Sequence, residues 1–150
     1  EAYLVTHAIH ETGHGRSSLA QGIYVDTNGN PVSNQSNPPT DAVKVYNMFG
    51  IAAYDGRETI DGPKYAYQQG WTTPYKAIVG GAEWIAKNYI HSNSYDQDTV
   101  YKMRWNPAAP GTHQYATDIG WAAKQTSTMN QILETINNPL PLYYDIVRFK

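Results

Sequence analysis

Residues 2–12 of the chain read AYLVTHAIHET. In a helix, this segment places Glu11 on the same face as the side chains of Leu4, Val5, Ala8 and Ile9. Gly13 and Gly15 follow directly and favour an end to the helix. The segment therefore predicts an amphipathic helix over residues 2–12 that ends on an inward-facing carboxyl group.

A small β segment is predicted between this helix and the middle of the chain. Asn28-Gly29 is a hairpin-turn signal, and it lies between Ile23–Val25 and the stretch around Val32. Residues 43–54 are rich in β-branched and aromatic side chains. They predict a strand with a bend or a close backbone approach at Gly50.

The second half of the chain predicts helices. Thr73-Pro74 supplies an N-cap residue and a proline at the first helical position of a helix that runs to Tyr89. Gly80-Gly81 within this helix indicates close packing against another element. Further helices are predicted over residues 63–69, 99–105 and 115–136, and an irregular tail over residues 137–150. The predicted fold class is α+β, mainly helical, with segregated elements.

The composition indicates one compact domain. The chain has 150 residues, of which 41% are hydrophobic, and this is enough for one core and too little for two. Charged residues make up 16% and the net charge is −2, so we expect neither nucleic acid nor an anionic membrane as a partner. No apolar run approaches the roughly 20 residues of a membrane span, so we expect no membrane insertion.

Two features bear on the origin of the chain. It has no cysteine, which excludes disulfides, thiolate metal sites and a cysteine nucleophile, but is compatible with either a cytosolic or an exported protein. The helical pattern begins at the first residues with no N-cap residue ahead of it. We therefore expect a fragment of a longer, multi-domain polypeptide.

His10-Glu11-Thr12-Gly13-His14 matches the HExxH pattern of zinc metallopeptidases, in which two histidines one helical turn apart bind zinc and the glutamate is the general base. Gly13 opposes this hypothesis, because glycine in that turn costs about 1 kcal/mol relative to alanine. An extended pattern would also need a third histidine at the position of Ala20. The zinc metallopeptidase stays open as an alternative, with a third ligand such as Asp26, Asp41 or a remote residue.

Glu11 also fits a glycosidase. Cleavage of a sugar acetal needs a protonated carboxyl group beside the leaving oxygen, and at neutral pH this requires a raised pKa. Burial on the inward helix face and the partial negative charge of the helix C-terminus both predict a raised pKa for Glu11. On these residues alone, a structural glutamate bonded to the backbone or to Arg16 is the favoured interpretation.

Four blocks of sequence follow one another over most of the chain. They are YLVTHAIHETGHG (3–15) with SSLAQG (17–22), YNMFGIAAYD (46–55), AIVGGA (77–82), and YKMRWNP (101–107) with GTHQYATD (111–118). Together they resemble the glucosaminidase domains of glycoside hydrolase family 73, similar to those of clostridial and staphylococcal autolysins. His14 departs from the pattern, because relatives commonly have asparagine there, and this departure creates the HExxH match.

The resemblance implies a lysozyme-like, two-lobed domain with a small β-lobe, formed by residues 1–150 as a single catalytic domain. It implies an endo-β-N-acetylglucosaminidase that cleaves the GlcNAc-β-1,4-MurNAc bond of peptidoglycan. Glu11 would be the general acid, Tyr115 a further active-site residue, and residues 47–51 a wall of the cleft. No metal or other cofactor is expected. The resemblance also implies a secreted, cell-wall-associated monomer whose partner is the glycan strand.

Several side chains are candidates for substrate binding. The Tyr115 hydroxyl is suited to bond a sugar N-acetyl group or to position a water, and Asn47 offers a donor and an acceptor to a sugar amide. The other candidates are Phe49, Gly50, Trp105 and Asp118. Each has a structural alternative, such as core packing for the aromatic rings, capping of backbone groups for Asn47 and a helix-dipole role for Asp118.

The second half of the reaction stays open at this level. Asp55 and Glu58 lie just past the cleft-wall block and are the candidates for a second carboxylate. Alternatively, the acetamido oxygen of the substrate attacks, and no enzyme base is needed. We favour the second mechanism because a glycine-bearing loop holds a base poorly. A module that binds glycan without cutting it is a third class of function.

Overall fold

The structure, a computed structural model, describes residues 2–136 together with residues 146 and 148. In chain order this part contains α1 (Ala2–Glu11), α2 (Ser18–Gln21), β1 (Ile23–Val25), β2 (Val43–Val45), α3 (Glu58–Gln68), α4 (Pro74–Ile85), a π-helical turn (Ala86–Ile90), α5 (Val100–Trp105) and α6 (Trp121–Thr135). None of the helices in this part is long and apolar enough to cross a bilayer. Apart from residues 146 and 148, the predicted tail over 137–150 lies outside the described residues.

The described chain is mainly helical with one small antiparallel sheet, as predicted. β1 pairs with β2, and Ile23 faces Val45. The turn at Asn28-Gly29 forms, and the chain after it returns antiparallel to β1 at an isolated bridge between Val25 and Pro31. Proline has no N–H to donate to a ladder. The ladder partner of β1 is therefore the more distant Val43–Val45, while the stretch around Val32 that the hairpin signal indicated contacts β1 through this bridge and a hydrogen bond from the Val32 N–H to the Tyr24 carbonyl at 3.0 Å.

The strand predicted over residues 43–54 ends at Val45. Beyond Val45, the side chain of Asn47 bonds backbone groups that a partner strand would otherwise bond. Its Nδ2 donates to the Ile51 carbonyl at 2.8 Å. Its Oδ1 accepts from the Ile51 N–H at 3.2 Å. Such local side-chain bonds compete with a ladder for the backbone groups. The result is a tight loop with Gly50 at φ +64°.

The helix predictions hold for α1, α4 and α5 and fail at the starts of two others. α3 begins at Glu58 rather than at residue 63, with two acidic residues in its first turn that suit a helix N-terminus. α6 begins at Trp121 rather than at residue 115. Arg104 accounts for the second difference. Its guanidinium donates to the carbonyls of Thr117 (2.6 Å) and Asp118 (2.7 Å) and so holds this segment in a non-helical conformation.

α1 packs against α6 with a face that includes the predicted Leu4 and Ala8 but is centred on Thr6 and His7. Thr6 and His7 are fully buried, whereas Val5 is 51% exposed. The Thr6 hydroxyl donates to the Ala2 carbonyl at 2.9 Å, so this polar side chain is satisfied inside. A count of apolar residues cannot detect such an arrangement, because it treats every threonine and histidine as outward-facing.

Gly80 and Gly81 of α4 provide the close approach that their pairing predicted. A Cβ at Gly81 would clash with Cδ2 of Phe49, and one at Gly80 would clash with Nε1 of Trp71. Real Cβ atoms do not come so close to neighbouring atoms. The two glycines therefore let Phe49 and Trp71 rest directly on the helix backbone.

We expect Gly81→Ala to lower the free energy of unfolding by about 1–3 kcal/mol, because the added methyl must displace the buried Phe49 ring. Thermal denaturation followed by circular dichroism measures the change. Gly120→Ala is the matched control, since Gly120 has φ −81° and its new Cβ would meet the flexible Lys124 side chain and, at an ordinary contact distance of 3.5 Å, Oδ1 of Asp118. Equal stability of the Gly81 variant and the wild type would contradict the packing role.

Candidate active site

A cleft of about 500 Å³ opens beside the C-terminal end of α1. Three segments line it: the end of α1, the loop after β2, and the chain that leads into α6. The lining residues are His10 and Glu11 from the first segment, Phe49, Gly50, Ala53, Tyr54 and Asp55 from the second, and Gln114, Tyr115, Ala116, Thr117, Asp118 and Trp121 from the third.

Glu11 is the last residue of α1, and its two carboxylate oxygens have different surroundings. Oε1 accepts a hydrogen bond from Nε1 of Trp121 at 2.8 Å and lies 3.5 Å from Nε2 of His7. Oε2 faces the cleft wall, where a Cβ at Gly50 would come within 3.3 Å of it. The side chain is 24% exposed. One oxygen is thus held inside the protein, and the other faces the cleft.

The pKa of Glu11 is shifted in the direction opposite to the predicted one. Burial raises it, but the contacts with His7 and Trp121 and the nearby charge of His10 lower it by more, so the pKa lies below its ordinary value. The predicted raised pKa is therefore wrong for the protein without a bound ligand. The sequence argument failed because it counted desolvation and the helix end, but not the donors from other segments.

Tyr115 lies in the cleft and links two of its walls. Its hydroxyl donates to the Phe49 carbonyl at 2.9 Å. Its ring is 4.6 Å from that of His7 and 5.2 Å from that of Trp121. Burial raises the pKa of Tyr115 well above its ordinary value, so the hydroxyl stays protonated. A role towards substrate stays a prediction for this residue.

The cleft-wall block divides into lining and support. Phe49 and Gly50 line the cleft. Asn47 is only 2% exposed, and both of its side-chain groups are bonded to the loop backbone at Phe49 and Ile51. The sugar contact predicted for Asn47 is therefore corrected, because its amide is already engaged behind the wall.

Trp105 and Asp118 have different outcomes. Trp105 lies outside the cleft lining, where the Arg104 guanidinium stacks on its ring at 4.3 Å. Its predicted contact with sugar is not supported in this arrangement. Asp118 does line the cleft, but its Oδ2 pairs with Lys124 at 2.6 Å and its Oδ1 accepts from the Gly120 N–H. Its first role is to order the start of α6.

Of the two candidate second carboxylates, the structure brings only Asp55 to the cleft of Glu11. Asp55 is exposed on the loop after the cleft wall. Glu58 is also exposed, and its Oε1 accepts from the Gly56 N–H at 2.9 Å beside the first turn of α3. Hydrogen bonds from its own backbone N–H and that of Gly56 lower the pKa of Glu58. Glu58 thus organises a helix start and does not face Glu11.

The geometry that a zinc site would need at residues 10–14 is lost. α1 ends at Glu11, and Gly13 (φ +54°) and His14 (φ +61°) both have left-handed backbone conformations. His14 therefore does not lie one helical turn from His10. Within the described part of the chain, no three His, Cys, Asp or Glu side chains form a group that could hold a metal ion.

The sequence prediction missed two residues that contact Glu11. His7 is one helical turn before Glu11, and the i, i+4 spacing was a signal that could have found it. Trp121 is 110 residues away in the sequence, and no local pattern links the two.

Comparison with known proteins gives a consistent result. A family model described as mannosyl-glycoprotein endo-beta-N-acetylglucosaminidase, of the Glucosaminidase family, matches residues 1–134. The chain is 47% identical over 150 residues both to a Bacillus subtilis beta-N-acetylglucosaminidase and to a Staphylococcus aureus bifunctional autolysin. The match covers the whole of this chain but only 15% and 11% of those relatives.

Solved structures show the same likeness. Autolysin E of S. aureus is 40% identical with a TM-score of 0.67, and the match covers 89% of this chain and 51% of that one. A catalytic mutant of autolysin E, solved in complex with the disaccharide NAG-NAM, is 37% identical with a TM-score of 0.64, and covers 89% of this chain and 52% of its own. These likenesses confirm the predicted lysozyme-like α+β fold.

We expect Trp121→Phe to raise the pKa of Glu11, because the indole N–H stabilises the ionised carboxylate more than the protonated carboxyl group, and the variant lacks it. Titration of ¹³C-labelled glutamate side chains by NMR measures this pKa. Trp105→Phe is the control, since Trp105 lies outside the cleft. An unchanged or lower pKa in the Trp121 variant would mean that the indole does not stabilise the ionised carboxylate.

Proposed function

The chain belongs to the glucosaminidase family, and we propose that it is the catalytic domain of a peptidoglycan hydrolase that cleaves the GlcNAc-β-1,4-MurNAc bond of glycan strands. The observation that carries this proposal is the asymmetric carboxyl group of Glu11, with Oε1 held by Trp121 and Oε2 facing the cleft. The relatives named as a beta-N-acetylglucosaminidase and an autolysin, and the related structure with NAG-NAM, support the choice of substrate.

Glu11 acts as the general acid in this proposal. Departure of a sugar needs a proton on the glycosidic oxygen, and Oε2 is the oxygen that a glycan in the cleft would meet. A bound glycan displaces water from around the carboxyl group, and this desolvation raises the pKa of Glu11 from its depressed value in the free protein. The carboxyl group then holds its proton where the glycosidic oxygen lies.

The substrate's own acetamido group is the proposed nucleophile. Asp55 is the one of the two candidate acids that reaches the cleft, and it lies on an exposed loop next to Gly56, beyond the part that Asn47 holds. A base needs a more rigid support than such a loop supplies. Tyr115, by contrast, is half-buried with its hydroxyl proton bonded to the Phe49 carbonyl, and its oxygen keeps acceptor capacity for an acetamido N–H.

The setting follows from the substrate. Peptidoglycan lies outside the cell membrane, so the proposed activity belongs to a secreted, cell-wall-associated protein. We propose that residues 1–150 act as a monomer and as one catalytic domain of a longer protein, since the chain spans about one eighth of the curated relatives it matches, by the 11% and 15% coverage above. Neither a cofactor, a nucleic acid nor membrane insertion has a part in the proposed reaction.

Two alternatives from other classes predict different products. A zinc metallopeptidase built on His10, Glu11 and His14 would cut peptide bonds, and its activity would depend on metal. The break in the helix after Glu11 speaks against that arrangement. A module that only binds glycan would release no products. Binding alone does not require a carboxyl group such as that of Glu11, with one oxygen held by the protein and the other open to the cleft.

We expect Glu11→Gln to keep the fold and to lower the release of reducing ends from purified sacculi by about 10²–10⁴-fold or more, because the amide cannot give up a proton. Circular dichroism verifies the fold. Glu58→Gln is the matched control, since Glu58 is exposed and does not line the cleft. Near-wild-type activity of a folded Glu11 variant would refute the proposal, and so would release of peptides that stops with a metal chelator.

We expect products of retained anomeric configuration, and Asp55→Asn with activity within several-fold of the wild type. Both outcomes follow from two displacements at the anomeric carbon: the acetamido oxygen attacks from the face opposite the leaving sugar and closes a ring, and water then opens that ring from the face that the leaving sugar occupied. Rapid ¹H NMR of the fresh products reads the configuration. Inversion, together with a loss of orders of magnitude in the Asp55 variant, would instead assign the base to Asp55.

A further inference from the structure

His7 lies in α1 one turn before Glu11 and is completely buried. The rings of Phe49, Tyr115 and Trp121 meet the edge or face of its imidazole at centroid distances of 5.4, 4.6 and 5.2 Å. Within the described part of the chain, its Nε2 has no hydrogen-bond partner. It is nevertheless 3.5 Å from Oε1 of Glu11. A buried polar atom without a partner is costly, so its retention at this point calls for an explanation.

The other ring nitrogen of His7 is held by Tyr3. The Tyr3 hydroxyl is 2.8 Å from Nδ1 of His7 and 2.9 Å from Sδ of Met103, so its single proton has two acceptors within reach. An imidazole nitrogen is a stronger acceptor than a thioether sulfur. When Tyr3 donates to Nδ1, the proton of the neutral imidazole is on Nε2 and points at Glu11. The opposite tautomer would place a lone pair against an ionised carboxylate.

Trp121 approaches the same carboxylate oxygen. Its Nε1–H donates to Oε1 of Glu11 at 2.8 Å, and Nε2 of His7 faces that oxygen from within α1. Oε1 therefore already accepts from Trp121 and faces the N–H of His7. A proton on Oε1 is unfavourable, because its O–H would point at these two donors, and neither of them can accept a hydrogen bond. The oxygen left for the proton is Oε2, beside Gly50 in the cleft.

We infer that His7 is a positioning residue for Glu11: held by Tyr3 with its proton on Nε2, it acts with Trp121 to occupy Oε1 and so keeps the transferable proton on Oε2. This inference rests on the proposed role of Glu11 as the general acid. His7 itself touches no substrate. It acts through the carboxyl group, by fixing which of two chemically equal oxygens is the acid.

The groups around the pair are compatible with this arrangement. Burial lowers the pKa of His7, so that it is neutral at pH 7, and burial raises the pKa of Tyr3, Tyr89 and Tyr115, so that they stay uncharged. On the cleft side, Asp118 is paired with Lys124. Among the described residues, the other titratable side chains that line the cleft are His10 on α1 and Tyr54 and Asp55 on the opposite wall.

The first test is the pH dependence of hydrolysis of soluble glycan fragments by His7→Phe, which keeps a ring of similar size and removes the N–H. We expect kcat to fall about 10–100-fold with little change in KM, because the acid is misplaced rather than the substrate. The alkaline limb of kcat/KM should move to higher pH, since the ionised carboxylate of Glu11 loses a donor. A purely structural defect would lower the rate without moving the limb in this direction.

Two further variants sharpen this test. His7→Gln can place an amide N–H near the position of Nε2, and it should recover part of both kcat and the wild-type limb. Tyr3→Phe removes the hydroxyl that bonds Nδ1 of His7, so the imidazole proton is no longer fixed on Nε2. This variant should move the alkaline limb of kcat/KM in the same direction as His7→Phe, but less far. Tyr67→Phe is the matched control, because it also removes one hydroxyl hydrogen bond, to the Thr27 carbonyl, but far from the site. An unmoved limb in His7→Phe overturns the inference.

A second measurement uses the wild-type protein and needs no variant. ¹⁵N NMR of histidine-labelled wild-type protein distinguishes protonated from unprotonated ring nitrogens, and the contacts of the His7 ring with Phe49 and Tyr115 identify its signals. We expect a neutral ring with the proton on Nε2 at pH 7, since burial lowers the pKa of His7. A proton on Nδ1 instead would overturn the inference even if His7→Phe did not fold.

Failure of the inference is distinguishable from failure of the proposed function. An active, folded Glu11→Gln variant refutes the general acid, and with it the inference. An inactive Glu11→Gln variant combined with an unmoved alkaline limb in His7→Phe, or with the proton of His7 on Nδ1, leaves the general acid in place and overturns only the positioning role.

Discussion

The hydrogen bond from the Trp121 indole to Oε1 of Glu11 joins the last residue of α1 to the first residue of α6. These two helices pack against each other, so this contact fixes where each of them meets the cleft. A largely buried carboxylate without donors would be strongly unfavourable. The start of α6 is therefore constrained to the point where its indole reaches the glutamate, and the cleft forms on the other side of that carboxyl group.

The opposite wall is held from three directions. Asn47 closes the loop from behind with side-chain bonds to the backbone. Phe49 rests on α4 at Gly81, where any side chain would interfere. Tyr115 donates to the Phe49 carbonyl from the segment that leads into α6. These contacts hold the loop rigid although it has no regular secondary structure. Gly50 therefore lies beside Oε2 of Glu11 in a fixed position, without the flexibility that a glycine suggests.

Local sequence signals predicted those parts of the fold that depend on neighbouring residues. The end of α1 before Gly13, the Thr73 cap and the close packing at Gly80-Gly81 all follow from conformational preferences or size at the residue itself. The predictions failed where a side chain from a distant part of the sequence bonds the backbone. Arg104 binds the carbonyls before α6 and so delays its start.

The sequence by itself determined that a glutamate ends an amphipathic helix and that four blocks in order match one family, and with these it determined the fold class and the general acid proposed here. Only the tertiary structure decided the chemical state of that glutamate. Its pKa depends on a donor 110 residues away, and the assignment of its proton to one oxygen depends on which side His7 and Trp121 approach from. Electrostatic interactions act through space rather than along the chain, so only the folded arrangement of α1, α6 and the cleft wall shows them.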